Sequence, residues 1–316
     1  MDFFLQQLVN GLSLGALYAL IAVGYTVVYG IVQLINFAHG EIFMVGAFGS
    51  YAVWILLGRP TDWGLWGSLF GLLPLMILGG MLVSVGIALL TEREAYRPLR
   101  NAPRLAPLIS AIGVSVFLQE AVRLFYGQIP GFPDAKAGFP FPTIEGISGE
   151  SIQLGGVIIQ HSSIFTVGAL LVCTIALWWF INRTDTGRAM TATSQDPDTA
   201  RLMGINVDRV IMAAFAVGAA LASIAGVAHG LRYQTIAFDM GFMAGLKAFT
   251  AAVLGGIGNI YGALLGGVVL GVIESLSAAY LGGGSAWKDV WAFGILILVL
   301  VFRPQGLLGS KVVDRA

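Results

Sequence analysis

Four groups of polar side chains interrupt sequence that is otherwise apolar, and these are the residues with chemistry to offer. The first is Asn36, His39 and Glu41 within NFAHGE. The second is Gln119, Glu120 and Arg123 in ISAIGVSVFLQEAVRLF. The third is His229 and Arg232 at the end of an apolar run, with Lys247 nearby in sequence. The fourth is Glu274, alone in GGVVLGVIESLSAAYL. Ionisable groups at membrane depth are costly and normally face a cavity or a partner. Each group therefore has two readings. Asn36, His39 and Glu41 either line a translocation pathway or form a turn in which Glu41 favours the start of the next helix. Glu120 and Arg123 stand three residues apart, so they share a helix face and can pair; Gln119 and Glu120 also qualify as pathway residues. Arg232 and Lys247 can snorkel to the interface. Glu274 needs a cavity or a bond to a neighbouring helix. The glycine-broken stretch Gly255, Gly256 and Gly258 joins the pathway candidates.

No catalytic constellation accompanies them, and the chain reads as a non-enzyme. Gly256-Ile257-Gly258 begins like a dinucleotide fingerprint, but the next glycine, Gly262, is one place too late and the flanks are not βαβ. His39-x-Glu41 lacks the P-C-x-x-C half of a zinc deaminase. There is no G-x-x-x-x-G-K-[ST] phosphate loop and no G-x-S-x-G elbow. Three histidines and one cysteine, Cys173, make a metal site improbable and an intrachain disulfide impossible. No cofactor is called for.

The elements that must position these residues are membrane helices. Of 316 residues, 57% are hydrophobic and only 11% charged, whereas a soluble domain carries about 25% charged residues. Lys+Arg and Asp+Glu balance at 17 each, so no basic field points to nucleic acid. A spanning helix needs about 20 mostly apolar residues. Stretches 8–34, 65–90, 106–126, 164–182, 210–231, 262–281 and 287–302 qualify, and 41–57 and 244–258 are shorter or glycine-broken. The expected fold is an all-α polytopic membrane helical bundle with about eight to nine membrane segments, some short or re-entrant, forming one domain over 1–316. Small residues recur every four positions at Gly218, Ala222, Gly226 and Gly230, with similar stripes at Gly11, Gly15, Ala19 and at Gly262, Gly266, Gly267, Gly271; such stripes let helices dock closely in lipid.

Lys and Arg excess keeps short loops inside. Arg93, Arg97, Arg100 and Arg104 place loop 91–105 there. Arg183, Arg188, Arg201 and Arg209 place loop 183–209 there, and Arg303, Lys311 and Arg315 place the tail there. Loop 127–163, with one lysine and three acids, belongs outside, with room for a short hairpin. The N-terminus, without a basic region or cleavage site, reads as no removable signal peptide. Within loop 183–209, Asp196 before Pro197 predicts an N-cap and a short helix over 197–203 that stops at Gly204. Leu202, Met203 and Ile205 on it invite a partner's groove.

Asp198-Thr199-Ala200-Arg201-Leu202-Met203-Gly204 resembles the E-A-A-x-x-x-G loop of ABC importer permeases, with Asp for Glu and Thr for the first Ala. Three longer stretches extend the likeness: ALYALIAVGYTVVYGIVQLINFAHGEIFMVGA (16–47), LISAIGVSVFLQ (108–119) and GFMAGLKAFTAAVLGGIGNIYGALLGGVVLGVIES (241–275). With SAAYL…KDV (277–290) and PQGLLG (304–309), they resemble the LivH-type permeases of bacterial branched-chain amino-acid ABC importers nearly end to end. Urea and short-amide permeases share much of this pattern but typically carry a long extra N-terminal region. The resemblance implies a multi-pass inner-membrane permease paired with a second permease chain, related or identical. Two ABC ATPase subunits would dock inside at Asp196, Asp198, Ala200, Arg201, Leu202, Gly204 and Ile205, and a solute-binding protein would deliver substrate outside. The rival readings are a urea or short-amide ABC permease and a stand-alone secondary transporter that uses intramembrane acids such as Glu120 and Glu274 for ion coupling.

Overall fold

The computed structural model describes residues 2–60, 63–100, 102–103, 105–282 and 284–309. Arg104, Lys311 and Arg315, three of the cations invoked for sidedness, lie outside the described residues. Among those described, seven helical stretches are long and apolar enough to cross a membrane. They are α1 (Asp2–Val32), the continuous stretch Gly64–Leu99 that contains α3 (Gly64–Gly67) and α4 (Leu73–Thr91), α5 (Leu105–Phe125), α6 (His161–Arg183), α9 (Val207–Tyr233), α11 (Ile260–Tyr280) and Gly284–Phe302, which contains α12 (Lys288–Phe302). Every one coincides with an apolar run in the sequence. Pro74 lacks an N–H to offer the preceding turn, and Ser68–Leu72 just before it widens to a π-turn.

Two shorter helices, α2 (His39–Leu56) and α10 (Met240–Gly255), complete the bundle. At 1.5 Å per residue they reach about 27 and 24 Å, somewhat less than the ~30 Å hydrocarbon core. Each runs from one end of the bundle towards the other. Before α2, Asn36 accepts from Tyr96 at the arginine-rich end; after it, Arg59 donates to the Gly131 carbonyl at the opposite end. α10 follows β4 (Thr235–Ile236), which pairs antiparallel with β1 (Phe139–Pro140) at that opposite end, and it finishes against Leu307 and Leu308.

α1, α2 and α9 form the enclosed centre, and α4, α5, α6 and α12 stand outside them. The outer helices show Leu82, Phe117, Val172 and Val301 to their surroundings, as helices solvated by lipid tails do. Close backbone approach holds the centre together. A Cβ on Gly271 would lie 2.2 Å from the Gly15 nitrogen, and one on Gly267 would lie 2.5 Å from the Ala19 Cα. A Cβ on Gly226 would meet the Phe43 carbonyl at 2.5 Å. In lipid, where apolar burial gains little, such packing is the main attraction between helices.

The expected external hairpin is present: β2 (Ser151–Leu154) pairs antiparallel with β3 (Val157–Gln160). Gly155 and Gly156 both have positive φ at the turn, as a tight two-residue hairpin requires.

Candidate functional site

At the arginine-rich end, residues 185–202 form two helices, α7 (Asp185–Gln195) and α8 (Pro197–Leu202). Thr184 caps α7 by accepting from the Gly187 N–H at 3.1 Å. Asp196 caps α8, accepting from the N–H groups of Asp198 and Thr199 at 3.0 and 3.1 Å, and Pro197 sets its first turn. Gly204 follows in the left-handed region, at φ +85°. Asp198 pairs with Arg201 across one turn at 2.8 Å. Ala200 faces inward, while Leu202 is 87% and Met203 78% exposed at this polar end. The sequence located α8 and its caps; α7 was not anticipated, because DTGRAMTATSQ is polar and carries no membrane signal.

The sequence also missed what anchors this region. Asp208, in the first turn of α9, bonds Arg97 and also takes Arg100 Nη1 at 2.5 Å. Arg100 in turn pairs with Glu92, whose side chain is fully buried. One residue before Arg97, Tyr96 donates to Asn36 Oδ1 at 2.7 Å. Contiguous bonds therefore run from the base of α9 through 92–100 to the segment that starts α2. Asp208 lies more than a hundred residues from Arg97 and Arg100 along the chain, so no local pattern reveals the clamp.

Asn36, His39 and Glu41 come together inside the bundle, all essentially buried. Ser115 on α5 donates to Glu41 Oε1 at 3.2 Å. Glu41 Oε2 is crowded by Gly241, where a Cβ would lie 2.3 Å away. The His39 ring sits against Gly24 and edge-on to Tyr25. Among the described residues, Asn36 Nδ2, His39 Nε2 and Glu41 Oε2 have no hydrogen-bond partner, so this packed core keeps unspent polar capacity. Gln119 and Glu120 lie apart, on α5; Glu120 pairs with Arg123 at 2.8 Å on a half-exposed face.

Glu274 is not alone. It receives Tyr18 Oη on Oε2 at 2.9 Å and Lys247 Nζ on Oε1 at 2.8 Å, with Lys288 Nζ at 3.2 Å. Lys247 also lies 2.7 Å from Asp289. The network joins α1, α10, α11 and α12. Lys247 thus belongs with Glu274 and not, as its sequence position suggested, with His229 and Arg232. His229 packs against Phe43 and Tyr233.

Gly255, Gly256 and Gly258 form the joint between α10 and α11. A Cβ on Gly255 would lie 1.8 Å from the Gly262 carbonyl, and Gly256 and Gly258 have φ of +110° and +96°. The N–H groups of Leu307 and Leu308 donate to the Leu254 and Gly255 carbonyls at 2.8 Å each, satisfying acceptors that the end of α10 leaves open. Asn259 caps α11 and also donates to the Leu308 carbonyl at 2.9 Å. Gly258 borders two cavities at this end, of about 150 and 450 Å³.

Against known proteins, residues 7–300 match the family described as branched-chain amino acid transport system / permease component. The high-affinity branched-chain amino acid transport system permease protein BraD of Pseudomonas aeruginosa is 45% identical, over 99% of this chain and 98% of its own length. LivH of Escherichia coli, carrying the same description, is 44% identical over 99% and 98%. The probable branched-chain amino acid transport permease protein LivH of Methanocaldococcus jannaschii is 30% identical over 93% and 89%.

Proposed function

The chain belongs to the branched-chain amino acid transport permease family, and on that premise we propose that it is the membrane-spanning subunit of an ATP-driven importer of branched-chain amino acids. A second permease chain completes the pathway, two separate ATPase subunits drive it from the arginine-rich face, and a solute-binding protein loads it from the other. The observation that carries this reading is α8. Leu202 and Met203 stand exposed on a doubly capped helix at a polar end of the molecule, where apolar side chains have neither lipid nor core to enter. A groove on an ATPase subunit would bury them.

The same reading gives α8 an outlet for force. A push on α8 reaches Asp208 at the base of α9, passes to Arg97 and Arg100, and arrives through Tyr96 at Asn36. There it bears on the start of α2, which holds His39 and Glu41. Alternating access then follows from shifts of rigid helices along interfaces of small residues. Selectivity for apolar amino acids rests largely on the binding protein.

Uptake of labelled leucine into proteoliposomes tests the reading, with the chain alone and then with ATPases, loaded binding protein and ATP. Uptake is expected only in the full assembly. Gly204→Pro forces φ from +85° to about −65° and removes the N–H that bonds the Arg201 carbonyl at 3.0 Å; it should abolish ATP-dependent uptake while ATP hydrolysis persists. Leucine uptake by the chain alone, without ATP, would sink the proposal.

A further inference from the structure

Two polar cavities adjoin at the end that carries the β2–β3 hairpin, of about 280 and 390 Å³, and they share Gln160, Arg232 and Tyr233 along their common wall. Arg232 closes the last turn of α9. It is half-buried, and Nη1 donates to Ser163 Oγ at 3.0 Å. Its guanidinium lies 5.8 Å over the Tyr233 ring. Among the described residues no carboxylate lies within ion-pairing distance of it. Lys247 and Lys288 nearby are matched by Glu274 and Asp289, and Arg123 by Glu120, whereas Arg59 at the same end donates to the Gly131 carbonyl and lines neither cavity. A guanidinium presents five donors in a fork that fits a carboxylate. Arg232 spends one on a hydroxyl, and the residue itself lines both cavities.

The smaller cavity also contains the opposite charge. Glu150 lines it with Arg232, held by the Gly146 N–H on Oε1 at 3.2 Å and by His161 Nδ1 near Oε2 at 3.2 Å. Ile158, about half exposed, gives the cavity apolar lining. A lone cation would favour any anion. A cation and a carboxylate on one cavity, with aliphatic lining, favour a zwitterion that carries a hydrocarbon side chain.

We propose that this cavity is a receiving subsite for the transported amino acid, with Arg232 taking the α-carboxylate and Glu150 the α-ammonium as the molecule leaves the binding protein. The assignment rests on the importer reading and adds a substrate-contacting site to it. It places the head-group recognition at the mouth of the bundle, ahead of the buried His39 and Glu41.

The test is leucine uptake by the complete reconstituted importer, with loaded binding protein varied, for Arg232→Gln, Arg232→Lys and Glu150→Gln. Arg232→Gln is expected to lower kcat at least tenfold and to shift the half-saturating concentration of loaded binding protein less than twofold. Arg232→Lys should recover part of the rate, and Glu150→Gln should lower kcat severalfold. An unchanged kcat in both Gln variants overturns the proposal. A raised half-saturation at full kcat also overturns it, and assigns Arg232 to docking of the binding protein. A defect that appears or vanishes with the phosphatidylethanolamine content of the vesicles assigns the site to a lipid headgroup instead. If Arg232→Gln does not assemble, the Lys and Glu150 variants carry the test. Wild-type vesicles that take up no leucine would count against the importer reading, not against this site.

Discussion

Lys247→Met should be the most damaging single substitution in the buried ion network. Glu274 is 1% exposed, and Lys247, itself only 9% exposed in its side chain, neutralises it at 2.8 Å. Methionine keeps the length of the lysine stem but leaves the carboxylate with Tyr18 Oη at 2.9 Å and the half-exposed Lys288 at 3.2 Å. Breaking one side of a buried pair costs about 3–5 kcal/mol, because a charge is left uncompensated. The reverse change, Glu274→Gln, is milder. Lys247 retains Asp289 at 2.7 Å, and the amide oxygen still accepts from Tyr18, so about 1–3 kcal/mol is expected, the cost of a weakened buried hydrogen bond. The double variant should cost at least ~1 kcal/mol less than the sum, since each change removes the other's reason to be harmful. Denaturant titration of the detergent-solubilised chain, followed by tryptophan fluorescence, gives all three values. Strict additivity, or Lys247→Met costing no more than Glu274→Gln, refutes the reasoning.

Three further substitutions have outcomes set by the geometry. Gly271→Ala pushes a Cβ to 2.2 Å from the Gly15 nitrogen. That is backbone and cannot yield like a side chain, so a loss near the upper end of the ~1–3 kcal/mol overpacking range is expected. Gly113→Ala, with open space around its Cβ, should leave the midpoint of the same titration unchanged or slightly raised. Asp208→Asn weakens two ion pairs with exposed members, at a stability cost of about 0–1 kcal/mol. In the assembled importer it should nevertheless lower leucine transported per ATP hydrolysed, and an unchanged ratio would remove the Asp208 relay from the mechanism.

Most of the fold is legible in the sequence because hydropathy writes membrane helices directly. The runs at 65–90 and 106–126 became helices within a few residues of where they were read. The cap at Asp196, Pro197 after it and the stop at Gly204 were equally local signals. What escaped was non-local. Glu274 looks solitary because its partners, Tyr18, Lys247 and Lys288, arrive from three other elements. The clamp of Asp208 on Arg97 and Arg100 is invisible for the same reason, and the charge count that placed those arginines inside says nothing of what they hold. α7 was missed because a polar, amphipathic helix leaves no apolar run. The candidate subsite at Arg232 was masked by a plausible local account, snorkelling. Only the described surroundings reveal that the guanidinium has no carboxylate and borders two cavities.

The bonds from Leu307 and Leu308 to the end of α10 have a consequence for how the chain is made. The acceptors at Leu254 and Gly255 leave the ribosome well before the N–H groups that satisfy them. The last carbonyls of a helix need donors from outside it, so during synthesis the end of the short α10 rests on water or on the insertion machinery until PQGLLG emerges. Completion of this helix is therefore timed by translation. A stop codon placed just after α12 would yield a chain with every membrane crossing present and one of them unfinished.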